Sequence, residues 1–144
     1  MIYREQKRDL FSVPDDYYFV QCISADFGMG KGIAVEFNKR FDVKNRMLNS
    51  HTKDHWFNQG YCLNTPDVPV FNLITKQHYW DKPTYYTITS ALAALKTLTQ
   101  IYSVKKLAMP KIGCGLDRLE WSEVSEIIKT VFKDVDIEIL VCYI

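Results

Sequence analysis

A chain of 144 residues suits a single domain with a core of its own. At 47% hydrophobic and 24% charged residues with a net charge of +1, it lacks the basic excess of proteins that hold nucleic acid or membrane surfaces by charge, a balance still compatible with binding one nucleotide. The charged N-terminus is unlike a signal peptide, no apolar run reaches membrane-spanning length, and Cys22, Cys62, Cys114 and Cys142 are widely spaced, so free thiols and a cytoplasmic location are expected.

Residues 1–4 read as a short first strand, followed by Asp9-Leu10-Phe11 and a polar turn at Pro14-Asp15-Asp16. The aromatic and β-branched run Tyr17 to Ser24 reads as a core strand. It enters the glycine loop Gly28-Met29-Gly30-Lys31-Gly32, after which Ile33, Phe37 and Phe41 recur every four residues and predict an amphipathic helix. A short helix is expected within residues 42–58. Gly60 to Leu63 and Val70 to Ile74 then read as strands parted by the turn residues Asn64, Pro66, Asp67 and Pro69. An aromatic loop, Gln77 to Lys82, leads to Pro83-Thr84, which opens a helix with Ile88, Leu92, Leu95 and Tyr102 on one face. The apolar run Val104 to Met109 predicts a buried strand, Trp121, Val124, Ile128 and Val131 the last helix, and Asp136 to Tyr143 a final strand. Strands alternate with helices, which favours an α/β sandwich around a largely parallel sheet.

Two loops carry the chemistry. Pro110 to Asp117 joins a strand to a helix and contains Gly113 and Gly115, so its backbone N–H groups can approach an anion closely. Plain turn glycines are the alternative reading, and Asp117 is either a helix N-terminal residue or a catalytic carboxylate beyond the phosphates. The loop at Gly28 to Gly32 is neither a Walker A loop, since Ala25 and Gly32 occupy the positions of its first glycine and its hydroxyl, nor a dinucleotide fingerprint, since Ile33 stands at the third glycine. Both loops can still cradle a diphosphate at one edge of a parallel sheet. Lys76, at a strand end, is either a solvated lysine or an amine nucleophile. Asp9 is a cap or a hydrogen-bond acceptor for a nucleoside. His51 and His55 could share a helix face, but no third ligand is suitably spaced, so no metal site is expected. Cys114 has no histidine placed to activate it and reads as a small residue packed under the loop. His78 reads as a surface residue, and Tyr79, Trp80, Tyr85 and Tyr86 either stack on a ligand or cover the core.

These pieces together resemble a macrodomain of the terminal ADP-ribose protein glycohydrolase branch, whose members are also described as O-acetyl-ADP-ribose deacetylases. The resemblance rests on Asp9-Leu-Phe, Cys22-Ile-Ser24, Met29-Gly-Lys-Gly-Ile-Ala-Val35, Leu73-Ile-Thr-Lys76, Lys82-Pro-Thr-Tyr85 and Met109-Pro-Lys-Ile-Gly-Cys-Gly-Leu-Asp-Arg-Leu119 with Trp121. Arg8 departs from the glycine usual before the aspartate, Gly28 and Lys31 depart from the human-type loop, and the widespread Asn-Ala-Ala-Asn loop is absent, as throughout this branch.

The resemblance implies one macrodomain over residues 1–144, a three-layer α/β/α fold on a mixed, largely parallel six-stranded sheet, with ADP-ribose along the strand ends. Asp9, Leu10 and Ile144 would hold the adenine end. Ser24 with Met29, Gly30, Gly32, Ile33 and Ala34 would line the diphosphate and distal ribose. Pro110, Lys111, Ile112, Gly113, Cys114, Gly115 and Leu116 would form the opposite wall. It further implies a hydrolase without cofactor or metal, acting on ADP-ribosylated protein or on O-acetyl-ADP-ribose; a monomer is the default expectation. Lys76 would attack C1″ and Asp117 would move protons; alternatively Lys76 would only stabilise negative charge while Asp117 activates water. Rival readings are a hydrolase for ADP-ribosylated nucleic acid or ADP-ribose 1″-phosphate, and a non-catalytic ADP-ribose reader.

Overall fold

The structure, a computed structural model, describes residues 1–144. In chain order it comprises β1 (Ile2–Lys7), a 3-10 turn (Leu10–Ser12), β2 (Tyr18–Ser24), α1 (Ile33–Phe41), α2 (Val43–Ser50), β3 (Tyr61–Asn64), β4 (Val70–Lys76), α3 (Tyr85–Ile101), β5 (Lys106–Met109), α4 (Trp121–Val131) and β6 (Glu138–Tyr143). The strands form one sheet in the order β1-β6-β5-β2-β4-β3. All neighbours pair in parallel except β3, which runs antiparallel to β4 at the edge. The sheet is therefore mixed and largely parallel, as expected.

Side-chain alternation along the strands builds two cores. Val20, Leu73, Leu107 and Val141 face α3 and α4, packing on Ile88, Leu92, Val124 and Ile128. Phe19, Ile74, Ala108 and Leu140 face the other way, onto Phe37 of α1 and Val43 and Met47 of α2. Helices on both faces complete the three layers. The periodicity read at Ile33, Phe37 and Phe41 centres on Phe37, which is fully buried; burying such a side chain contributes roughly 1.5–3 kcal/mol. No helix is long and apolar enough to cross a membrane.

Three expectations are corrected. The first strand runs to Lys7 rather than residue 4, because its polar positions face solvent while its backbone pairs with β6 from Ile2 opposite Glu138 to Lys7 opposite Tyr143. Tyr102 is not on the buried face of α3: the helix ends at Ile101 and the ring is 53% exposed. His51 and His55 share no helix face, since α2 stops at Ser50; His51 donates through Nε2 to the Asn64 carbonyl at 2.9 Å.

Candidate active site

Because β1, β6, β5, β2 and β4 are parallel, the segments that follow them all emerge at one sheet edge. That edge collects Asp9, the loop 25–32, the segment after Lys76, the loop 110–120 and Ile144. The two glycine loops follow the neighbouring strands β2 and β5 and meet there: a Cβ built on Gly32 would lie 3.8 Å from Leu116 Cδ1.

Gly32 is the N-cap residue of α1, with φ 63° and ψ −151°, and no side chain caps the helix. Its first N–H groups are left for an anion, favoured by the helix dipole. In the facing loop, Gly113 has φ +73°, and a Cβ there would stand 3.1 Å from Leu119 and 3.3 Å from Ile88. Glycine is needed at that position both for its conformation and for its closeness to the core. The loop is closed by Leu119 N–H donating to the Gly113 carbonyl at 2.8 Å and Arg118 N–H to the Gly115 carbonyl at 3.2 Å. Two residues at the start of α3 brace it from outside. Lys82 Nζ donates to the Leu116 carbonyl at 2.8 Å, and the Glu120 N–H donates to Tyr85 Oη at 3.1 Å.

Lys76 and Asp117, 41 residues apart, come together across this edge: Nζ donates to Oδ1 at 2.7 Å. Their side chains are only 14% and 16% exposed. A bulge contributes to the aim of the amine. The β2–β4 register shifts after Ile23, so that Ser24 opposes Lys76 and Thr75 becomes the extra residue; bulges beside active sites re-aim the side chains next to them. The Ala25 N–H holds the Lys76 carbonyl at 2.9 Å. Asp117 is not a helix cap, since α4 begins at Trp121 behind Glu120.

The other expected site residues divide by exposure. Gly30, Gly32, Gly115 and Leu116 are open, Ile33 is exposed, and Ile144 extends freely past β6. Pro110 and Lys111 are half-buried, the Lys111 ammonium lying 4.7 Å from the centroid of the Tyr143 ring. Leu10, Met29, Ala34 and Ile112 are buried among core side chains, which leaves their backbones for a ligand. Asp9 is exposed, with Oδ1 accepting from Phe11 N–H at 2.9 Å, so one carboxylate oxygen caps the turn and the other stays open. Arg8 is tied back to Ser12.

Ser24, expected to line the diphosphate and distal ribose, is 1% exposed, and its hydroxyl donates to Asp26. Cys114 is half-buried, and burial pushes its thiol up to about 11, which keeps it a weak nucleophile. His78 pairs with Asp81 at 2.9 Å and stacks on Trp80, a loop-internal role.

The residue that the sequence did not single out is Asp26. Partial burial alone would raise its pKa, but hydrogen bonds from the Ser24 hydroxyl and the Tyr79 and Gly28 N–H groups outweigh burial and hold it below its ordinary value. Its only signal in the sequence is its place one residue before Phe27-Gly28, where a turn residue is unremarkable.

No protein-family profile matches the chain. The ADP-ribose glycohydrolase OARD1 of Bos taurus is 42% identical over 135 residues, covering 94% of this chain and 87% of the relative. The Homo sapiens protein of the same name is 41% identical over the same shares. Among solved structures, the macrodomain of Thermus aquaticus DarG superposes with a TM-score of 0.80 at 22% identity, covering 99% of both chains. That likeness carries the fold and the curated relatives carry the branch: the chain belongs to the macrodomain family, in the branch of the OARD1 ADP-ribose glycohydrolases.

Proposed function

We propose that this protein is an ADP-ribosyl hydrolase that releases ADP-ribose from acidic side chains and deacylates O-acetyl-ADP-ribose, with Lys76 as nucleophile and Asp117 as proton carrier. The observation that carries the reading is the 2.7 Å contact between the two, shielded from water at the sheet edge where the glycine loops meet. A reader module has no need of a lysine and a carboxylate held together there.

The contact supplies the first step. An ammonium has no lone pair, so Nζ must lose a proton before it attacks, and Asp117 Oδ1 stands at hydrogen-bond distance to take it. The amine then forms an N–C bond to C1″ while the bond from C1″ to the acyl oxygen breaks, its electron pair leaving with the carboxylate. Asp117 passes the proton taken from Nζ to the departing carboxylate, and its freed carboxylate then draws a proton from the water that adds to C1″. The N–C bond breaks and the amine recovers its proton. The sum is ester plus water giving ADP-ribose and a carboxylic acid, and every proton moves between groups of this chain, substrate and water. The diphosphate is held by the free N–H groups at the start of α1 and by the loop 110–116. All four cysteines are free, which suits a reducing compartment; we place the protein in the cytoplasm, acting as a monomer on ADP-ribosylated protein.

The test is trapping and substitution at Lys76. Incubation of Asp117→Ala with a glutamate-linked substrate should accumulate an adduct that mass spectrometry locates on Lys76. Lys76→Ala should lose turnover and adduct but keep ADP-ribose binding. Lys76→Arg should be equally inactive, because a guanidinium stays protonated. Near-wild-type turnover by Lys76→Arg, with no adduct in any variant, would replace the covalent route by charge stabilisation and water attack.

A further inference from the structure

Asp26 sits between two parts of the site that meet nowhere else through a side chain of its kind. Its Oδ1 accepts the Ser24 hydroxyl and, at 3.1 Å, the Gly28 N–H; its Oδ2 accepts the Tyr79 N–H at 3.0 Å. One carboxylate therefore ties the loop that leads to α1 to the chain three residues beyond Lys76. The junction is close-packed as well as hydrogen-bonded. A Cβ on Gly28 would lie 2.9 Å from Tyr79 Cβ, so only glycine allows that approach without displacement. At the near end of the same segment, Ala25 N–H holds the Lys76 carbonyl at 2.9 Å. The backbone from Lys76 to Tyr79 is thus fastened at both ends to the turn 24–28.

We propose that Asp26 is a positioning residue for the reaction: it anchors the segment carrying Lys76 to the diphosphate loop, so that the amine is aimed from the loop that holds the ligand. The inference rests on the hydrolase reading above. Two features distinguish this role from that of an ordinary turn cap. A cap would satisfy local donors such as Gly28, whereas Asp26 spends a whole oxygen on a residue 53 positions away. Tyr79 is otherwise 63% exposed and Trp80 64% exposed, so the segment has little packing of its own to hold it. In this arrangement Asp26 touches neither substrate nor amine; it acts through Tyr79 N–H on one side and Gly28 N–H on the other.

The chemistry of the carboxylate permits a selective test. Asp26→Asn keeps a carbonyl oxygen for Ser24 and Gly28 but turns an NH2 toward the Tyr79 N–H, donor against donor. Asp26→Asn should lower kcat about tenfold, leave the Kd for ADP-ribose within about twofold, and expose the Tyr79 amide to hydrogen exchange, with Tm little changed. Gly28→Ala should have the same effect from the other side, by pushing on Tyr79. The double variant Asp26→Asn/Gly28→Ala should be no worse than the poorer single one, because both break the same junction. Wild-type kcat in Asp26→Asn despite lost Tyr79 protection overturns the proposal, as does a fall in kcat that merely follows a fall in Tm, or additive losses in the double variant. A wild-type protein that binds ADP-ribose but releases none from any ester would instead reject the hydrolase reading, and the positioning role with it.

Discussion

Gly28, Gly30 and Gly32 look equivalent in sequence, yet each is set in a different physical situation. Gly28 gives room to Tyr79. Gly32 has φ 63° and ψ −151°, a combination essentially reserved for glycine, where another residue is strained by about 1–3 kcal/mol. A Cβ on Gly30 would meet nothing within 4 Å, and its φ is not positive. Gly30→Ala should therefore bind ADP-ribose within about twofold of wild type, whereas Gly32→Ala should lose about tenfold or more, since about 1.4 kcal/mol is one decade. Calorimetry on the two variants decides the matter, and equal losses would mean that the loop acts through bulk rather than backbone conformation. The glycine pattern marked a loop, but it could not distinguish these three uses, because each depends on a neighbour or a dihedral supplied by tertiary contact. Lys76 and Asp117 show the same limit. Each alone reads as a strand-end lysine or a turn aspartate, and only the resemblance put both in one site; their 41-residue separation has no local signal.

At the scale of elements, periodicity was most legible where one face is buried. The regular spacing at Ile33, Phe37 and Phe41 and at Ile88, Leu92 and Leu95 matches α1 and α3. It failed at Tyr102, where the pattern continued past the physical end of the helix, and at β1, whose sequence IYREQK carries little apolar signal because its pairing with β6 does the work. Pro83-Thr84 was a sound start signal for α3. Thr84 Oγ1 accepts the Thr87 N–H at 3.1 Å, and the Thr84 N–H donates back to Thr87 Oγ1 at 3.0 Å, a reciprocal cap. The cap lies beside the braces Lys82 and Tyr85, so the start of α3 serves both stability and the shape of the loop 110–120. Thr84→Ala should cost about 1 kcal/mol of unfolding free energy, measured by urea titration with an unchanged slope. A neutral result would mean that packing of Ile88 and Leu92 alone fixes the helix start.

For the molecule as a whole, the titratable groups give a stability profile that falls on both sides of neutrality. On the acid side, Asp26 is lowered as described, and Asp16, at an exposed position, is lowered by its hydrogen bond from Lys106. A lowered carboxyl stabilises the fold above the ordinary value of about 3.9 and loses that contribution as pH falls through the lower folded value. On the alkaline side all four thiols are pushed up, chiefly by burial. For a raised thiol the sign reverses: the contribution is complete below the unfolded value of about 8.5 and shrinks as pH rises toward the folded one. Cys62, a core residue of β3 with 9% exposure, gives the clearest case. Above its unfolded value, a thiol that stays protonated only in the fold changes stability by up to about 1.4 kcal/mol per pH unit. Tm should therefore be flat from about pH 6 to 8 and fall beyond about pH 8.5. Cys62→Ala should start lower at pH 7 through lost packing, and the gap to wild type should narrow steadily up to pH 10, as the thiol's contribution disappears only from the wild-type protein. A gap that stays constant across that range would show that Cys62 ionises alike in folded and unfolded chains, and the alkaline limb would then belong to other groups.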